Sequence, residues 1–138
     1  MRQSVHLRPR LEAVQALLGK QRIVADIGCD HGRLGVALLQ RARCARVIAI
    51  DVSRDSIKKA EALMKLTHTE PTKMILRLGD GFTALSRGET DAVVLAGMGG
   101  TLMTRLLQAC AEPLQGAQIG VFQPMRAVED IRRYLHKS

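Results

Sequence analysis

VADIGCDHGRLG, residues 24–35, decides the fold. An apolar run ends at Ile27, the alternation Asp26-x-Gly28-x-Asp30-x-Gly32 follows, and a second apolar run begins at Leu34. Two carboxylates and three glycines (Gly28, Gly32, Gly35) stand within residues 26–35. A buried strand that runs into a glycine turn and opens directly into a helix has this signature.

Working outward, strand-like and helix-like stretches alternate. Leu11, Val14, Leu17 and Leu18 keep helical spacing ahead of a strand at 22–27, and a helix is expected over 34–42. RVIAID (46–51) is a second buried strand, and Ser53 is placed to cap a helix whose apolar face is Ile57, Ala60, Leu63 and Met64. Further strands are read at 73–78, 91–96 and 118–122. A helix face at Leu102, Met103, Leu106, Leu107 and Cys110 and a closing helix over 127–135 complete the pattern. Strand-helix alternation with continuous apolar strands predicts an α/β fold: a mainly parallel sheet of about five strands, covered by helices on both faces.

Ligands of such sheets bind beyond the carboxyl ends of the strands. The unusual chemistry falls on that edge: DIGCDHG after the first strand, Asp51 after the second, Gly79-Asp80-Gly81-Phe82 after the third, Ala96–Gly100 (AGMGG) after the fourth, and Gln123-Pro124 after the fifth. Asp51 lies about 20 residues beyond the glycine turn, the spacing at which an acid meets the ribose hydroxyls of an adenine nucleoside. A dinucleotide and S-adenosylmethionine both fit that geometry. Asp30 would set a carboxylate against a pyrophosphate, whereas S-adenosylmethionine carries an ammonium and a sulfonium that carboxylates suit. Asp80 is placed to accept from an adenine amino group, with the Gly81 and Phe82 backbone at the ring edge.

Composition narrows the partners. The 138 residues suffice for one core, and no apolar run reaches membrane-span length. No apolar stretch follows the basic N-terminus, so no signal peptide is read and a cytoplasmic location is expected. Three cysteines without paired spacing and four scattered histidines suggest neither disulfide nor metal site. Net charge is +8, with a pI near 10.1, which favours a polyanionic partner such as nucleic acid. Phe82, Phe122 and Tyr134 are the only aromatics, too few for a base-stacking platform, so phosphate contacts must dominate.

DIGCDHG, LGDGF, AGMGG and FQP, in this order, resemble the bacterial tRNA adenine-N1 methyltransferases that modify adenosine-22. HLRPRLEAV is similar to that family's basic opening, with Arg10 and Leu11 at its Arg-Leu pair. The resemblance spans nearly the whole chain and implies a Rossmann-like class I methyltransferase core. It implies a cofactor site at Asp26, Gly28, Asp30, Gly32, Asp51, Val52, Asp80, Gly81, Phe82 and Ala96. It implies substrate contacts at Arg10, Gly97, Met98, Gly99, Gly100, Gln123 and Pro124. Three departures stand out. Met125 follows Gln123-Pro124 where the family usually has asparagine. Arg33 and Gly35 stand where an aromatic and a proline are common. Two further strands and a helical extension of the family are lacking, so residues 1–138 are read as a single S-adenosylmethionine-binding domain.

The implied reaction transfers a methyl group to N1 of a tRNA adenine. N1 already owns a lone pair, so catalysis is mostly positioning, with a carboxylate to stabilise the cationic product. Asp30 is the first candidate and His31 the second. N1 is on the pairing edge, so the base must be exposed or flipped out. Arg8, Arg10, Arg33, Arg126, Arg132 and Arg133 are candidate phosphate contacts. A cofactor-binding core with little or no tRNA-modifying activity is the alternative, and a nucleotide-dependent oxidoreductase is disfavoured by Asp30. An open fifth strand would invite a homodimer through the sheet edge.

Overall fold

The computed structural model describes residues 3–110 and 112–137. α1 (Pro9–Leu18) precedes β1 (Ile23–Ile27), α2 (Arg33–Gln40), β2 (Arg46–Asp51), α3 (Arg54–Leu66) and β3 (Met74–Leu78). A 3-10 turn (Gly81–Ala84), β4 (Ala92–Met98), α4 (Gly100–Gln108), a second short turn (Pro113–Gly116), β5 (Ile119–Pro124) and α5 (Val128–Lys137) follow. The strands form one sheet in the order β3-β2-β1-β4-β5, with every pairing parallel. The expected α/β architecture is therefore present, with β3 and β5 at its edges. No described helix is long and apolar enough to cross a membrane.

Each face of the sheet buries its own core. Val24, Val47, Ala49 and Val94 pack with Val14 and Leu18 of α1, Leu34, Val36 and Leu38 of α2, and Met64 of α3. Ala25, Ile27, Ile48, Ile50, Val93 and Leu95 pack on the other face with Phe82, Met103, Leu106 and Leu107, and Ile131 of α5. Neighbouring strand residues alternate between these clusters, which is why the strands read as unbroken apolar runs.

Local chemistry sets the element ends. Ser53 caps α3 as expected, its hydroxyl accepting the Ser56 N–H at 3.2 Å. Four sequence expectations need correction. Leu17 is 74% exposed. α1 packs through Leu11, Val14, Gln15 and Leu18, and Gln15, not Leu17, is buried, accepting a hydrogen bond from Arg41. The fourth strand does not end at Ala96. It continues to Met98 through a bulge where Gly97 adopts φ +76°, so part of AGMGG is strand. Gln123 and Pro124 likewise lie within β5, where an edge position tolerates the proline. Ala127 stands outside α5 at φ 51°.

Candidate active site

The turn after β1 is pinned to β2. Gly28 and Cys29 both donate their N–H to the Ile50 carbonyl, at 2.8 and 2.9 Å. Asp51 then fixes the next residues: its Oδ2 accepts the Asp30 N–H at 2.9 Å and its Oδ1 the Ser53 N–H at 3.0 Å. Asp30 is held at φ 54°, a left-handed conformation that aspartate adopts more readily than most residues. Gly28 adopts φ +75°, a conformation that strains any side chain, and a Cβ there would also displace the Met98 methyl, 2.7 Å away.

Two cavities meet at this turn. The first, about 370 Å³, is lined by Gly28, Asp51, Val52, Asp80, Met98 and Leu102, among others. Val52 and Leu102 present apolar surface to it, 67% and 37% exposed. Arg105 Nη1 reaches to 4.0 Å from Asp80 Oδ2 on its rim. The second, about 510 Å³, holds Asp26, Asp30 and His31 together with Arg8, Arg10 and Arg33. Gly28, Asp30, Ala96 and Gly97 line both.

Asp26 is the electrostatic anomaly. It is 4% exposed, its carboxylate has no hydrogen-bonding or ionic partner among the described residues, and it lines the second cavity. Burial, reinforced by Asp51 and Asp30, pushes its pKa from 3.8 up to about 7. An unpaired buried carboxylate favours a cationic ligand. Burial also raises the Cys29 thiol well above its ordinary range, so Cys29 is no nucleophile. His31 Nε2 lies 3.3 Å from Asp30 Oδ1, both side chains being exposed.

Remote parts of the chain complete the second cavity. Arg10 Nη1 donates to Gln123 Oε1 at 3.3 Å, and the same oxygen accepts the Gly97 N–H at 3.3 Å. Gln123 thus ties α1 to the bulge of β4 and holds Arg10 over Gly97. Arg33 donates to the His6 carbonyl at 3.1 Å.

Of the residues singled out from the sequence, Asp26, Gly28, Asp30, His31, Asp51, Val52, Asp80, Gly81, Ala96, Arg10, Gly97 and Met98 all line one or both cavities. Others are drawn elsewhere. The Phe82 side chain is 2% exposed, within the core. Gly32 packs against Ala60 and Met74, and Gly99 against Arg126. A Cβ on Gly100 would meet the Ala127 carbonyl oxygen at 2.1 Å, so this glycine serves close packing of α4 on the approach to α5. Pro124 pairs with Met98 in the sheet. Sequence reasoning missed Ser56, Arg105 and Leu106 as lining residues. Leu102, Arg105 and Leu106 form an i, i+3, i+4 stripe on α4, a signal that also reads as plain core. No group of three or more His, Cys, Asp or Glu among the described residues is placed to hold a metal ion.

A family model described as a methyltransferase domain matches residues 7–138. The chain belongs to the methyltransferase-domain family. Within the family it is 29% identical over 132 residues to the tRNA (adenine(22)-N(1))-methyltransferase of Bacillus subtilis, covering 96% of this chain and 55% of that one. The crystal structure of the B. subtilis m1A22 tRNA methyltransferase superposes with a TM-score of 0.87 at 26% identity, covering 97% of this chain and 57% of the other. A Streptococcus pneumoniae relative crystallised with S-adenosyl-L-methionine gives a TM-score of 0.86 at 27% identity, covering 96% and 62%. The resemblance carried by the motifs is thus borne out. The chain spans between 55% and 62% of the length of these relatives.

Proposed function

We propose that this chain is the S-adenosylmethionine-binding core of a methyltransferase that acts on N1 of a tRNA adenine, adenosine-22 being the position its relatives modify. One observation carries the reading: two cavities of opposite character share the glycine turn and the end of β4. The first is walled by carboxylates and apolar side chains, and the second joins the buried Asp26 and the exposed Asp30 to an arginine rim.

The residues fit the cofactor. Asp26 would hold an ammonium, Asp51 the ribose hydroxyls and Asp80 the adenine amino group, with Val52 and Leu102 against the ring. Asp51 keeps lone pairs for this task, since each oxygen accepts only one backbone N–H. When bound, the cofactor supplies an electrophilic methyl group on a positively charged sulfur. Glycine at 28 and 97 lets the backbone approach closely.

The protein's own share is positioning and charge. Asp30 stands where the cavities meet, so its carboxylate can stabilise the cationic methylated base; His31 orients it. Arg8, Arg10 and Arg33 supply phosphate contacts around a flipped nucleotide. A second reading is a cofactor-binding core with little tRNA-modifying activity.

The test is transfer of labelled methyl to a tRNA transcript, with the modified position mapped. Transfer to adenine N1, reduced ~100-fold by Asp30→Ala with cofactor affinity kept within about twofold, is the expected result. Cofactor binding without transfer selects the second reading. Full turnover by Asp30→Ala removes Asp30 from the mechanism.

A further inference from the structure

The opposite edge of the sheet carries a feature that the cofactor site leaves unexplained. Lys20, Arg22, Arg43, Arg46 and Lys73 stand at or just before the amino ends of β1, β2 and β3. They are scattered in sequence and gathered by strand register. The Arg22 carbonyl accepts the Ala45 and Arg46 N–H groups at 2.9 and 3.1 Å, the Arg43 carbonyl accepts that of Gln21 at 2.9 Å, and the Lys73 carbonyl accepts that of Val47 at 2.8 Å. Adjacent strands lie about 4.8 Å apart, so the three strand starts span roughly 10 Å; Arg46 stands beside Lys73, and Arg22 precedes Ile23, the β1 partner of Arg46. All but the half-buried Arg43 are exposed. Two acids share this edge. Asp91 pairs with Arg22 at 3.6 Å, and Glu70 begins the turn that ends at Lys73. Among the described residues no ion pair engages Lys20, Arg43, Arg46 or Lys73.

We infer that this amino edge is a second RNA-binding surface, which takes the phosphodiester backbone at a place remote from the modified base. The inference rests on RNA being the substrate. β2 runs from Arg46 to Asp51, about 17 Å at strand rise, so no single nucleotide reaches both edges. A polyanion with a charge every ~3.4 Å along each strand matches a row of cations that a small ligand would not fill. The surface offers no aromatic side chain for base stacking, so it holds the backbone without reading sequence.

The test compares the full chain with the triple variant Arg43→Gln, Arg46→Gln, Lys73→Gln, which leaves the Arg22–Asp91 pair intact. A charge-matched control carries Arg54→Gln, Lys58→Gln and Lys59→Gln on the first half of α3, away from this edge. Binding of a tRNA transcript is followed against salt, and S-adenosylmethionine binding reports the fold of each variant. The expected result is an affinity loss of about tenfold and a salt slope smaller by ~2–3 for the edge variant, with cofactor binding unchanged and a smaller loss in the control. Wild-type tRNA binding that the edge variant retains in full, or loses no more than the control does, overturns the inference and leaves the proposed function standing. Cofactor binding without tRNA binding by the wild type overturns both. Edge-dependent binding to phosphatidylcholine–phosphatidylglycerol vesicles, with tRNA affinity unchanged, assigns the surface to a membrane and overturns the inference.

Discussion

The two edges of one sheet have opposite characters. At the carboxyl edge stand Asp26, Asp30, Asp51 and Asp80, with backbone at positive φ at Gly28, Asp30, Gly32, Gly81 and Gly97. At the amino edge stand arginines and lysines at the strand starts, with positive φ in the turns before them at Gly19, Ala42, His68 and Gly88. The carboxyl edge is where parallel strands release the chain into turns that open helices, so strained and glycine-rich backbone collects there and makes cavities. The amino edge receives chain from helix ends and carries a groove between the end of α3 and the start of β3, lined by Met64, Lys65, Thr69, Pro71 and Met74 rather than by converging carboxylates. A site for a small cationic molecule and a surface for a polyanion can therefore share 138 residues without competing.

The sharpest way to break this contrast is Asp26→Asn. The folded wild type keeps a proton on Asp26 up to about pH 7, whereas the unfolded chain releases it near 3.8. Wild-type stability should therefore fall as pH rises between these values and level off above pH 7. The variant escapes that fall. Urea unfolding should find it equal to wild type below pH 4 and more stable at pH 8, by up to ~4 kcal/mol. Its affinity for S-adenosylmethionine should be weaker and flat with pH, whereas wild-type affinity rises from pH 6 to 8. A variant less stable than wild type at pH 8 would mean that Asp26 has a partner in the folded state.

A pair of glycines probes the same contrast. Gly28→Ala drives a methyl toward Met98, and cofactor affinity should fall ~100-fold in a calorimetric titration. Gly88, in the turn before β4, also has positive φ, but a Cβ there meets nothing within 4 Å. Gly88→Ala should cost about 1 kcal/mol of stability and leave cofactor affinity alone.

Carboxylates allow a third comparison. Asp51→Asn exchanges a charged acceptor of two backbone N–H groups for an amide that can satisfy only one, and cofactor affinity should drop ~10–100-fold. Asp91 accepts the Ile23 N–H at 2.9 Å on the amino edge. Asp91→Asn should change stability by ~1 kcal/mol or less and leave the cofactor untouched. The smallest effect belongs to Arg46→Gln alone, which should lower the salt slope of tRNA binding by ~1.

The carboxyl edge was legible because its motifs are local. Each strand end and the turn that follows occupy consecutive residues, and Asp26, Gly28, Asp30, Asp51 and Asp80 reach the cavities from where the sequence set them. What escaped the sequence was non-local. Leu17 and Gln15 exchange roles because α1 packs where Arg41 can satisfy Gln15. β4 passes Ala96 because β5 pairs with it through Pro124. Gln123 acts by steering Arg10, a partner 113 residues away. The cationic cluster on the amino edge was hidden for the same reason, since only the pairing of β1, β2 and β3 gathers their basic starts, with Arg46 beside Lys73.

The most direct test of the central claim is a calorimetric titration of the full chain with S-adenosylmethionine, with NAD as the control ligand. The carboxylates around Gly28 predict binding of the first, with affinity rising through pH 7, and none of the second. Binding of NAD without S-adenosylmethionine would contradict the account, because a pyrophosphate would then be accepted where Asp30 and Asp26 should repel it.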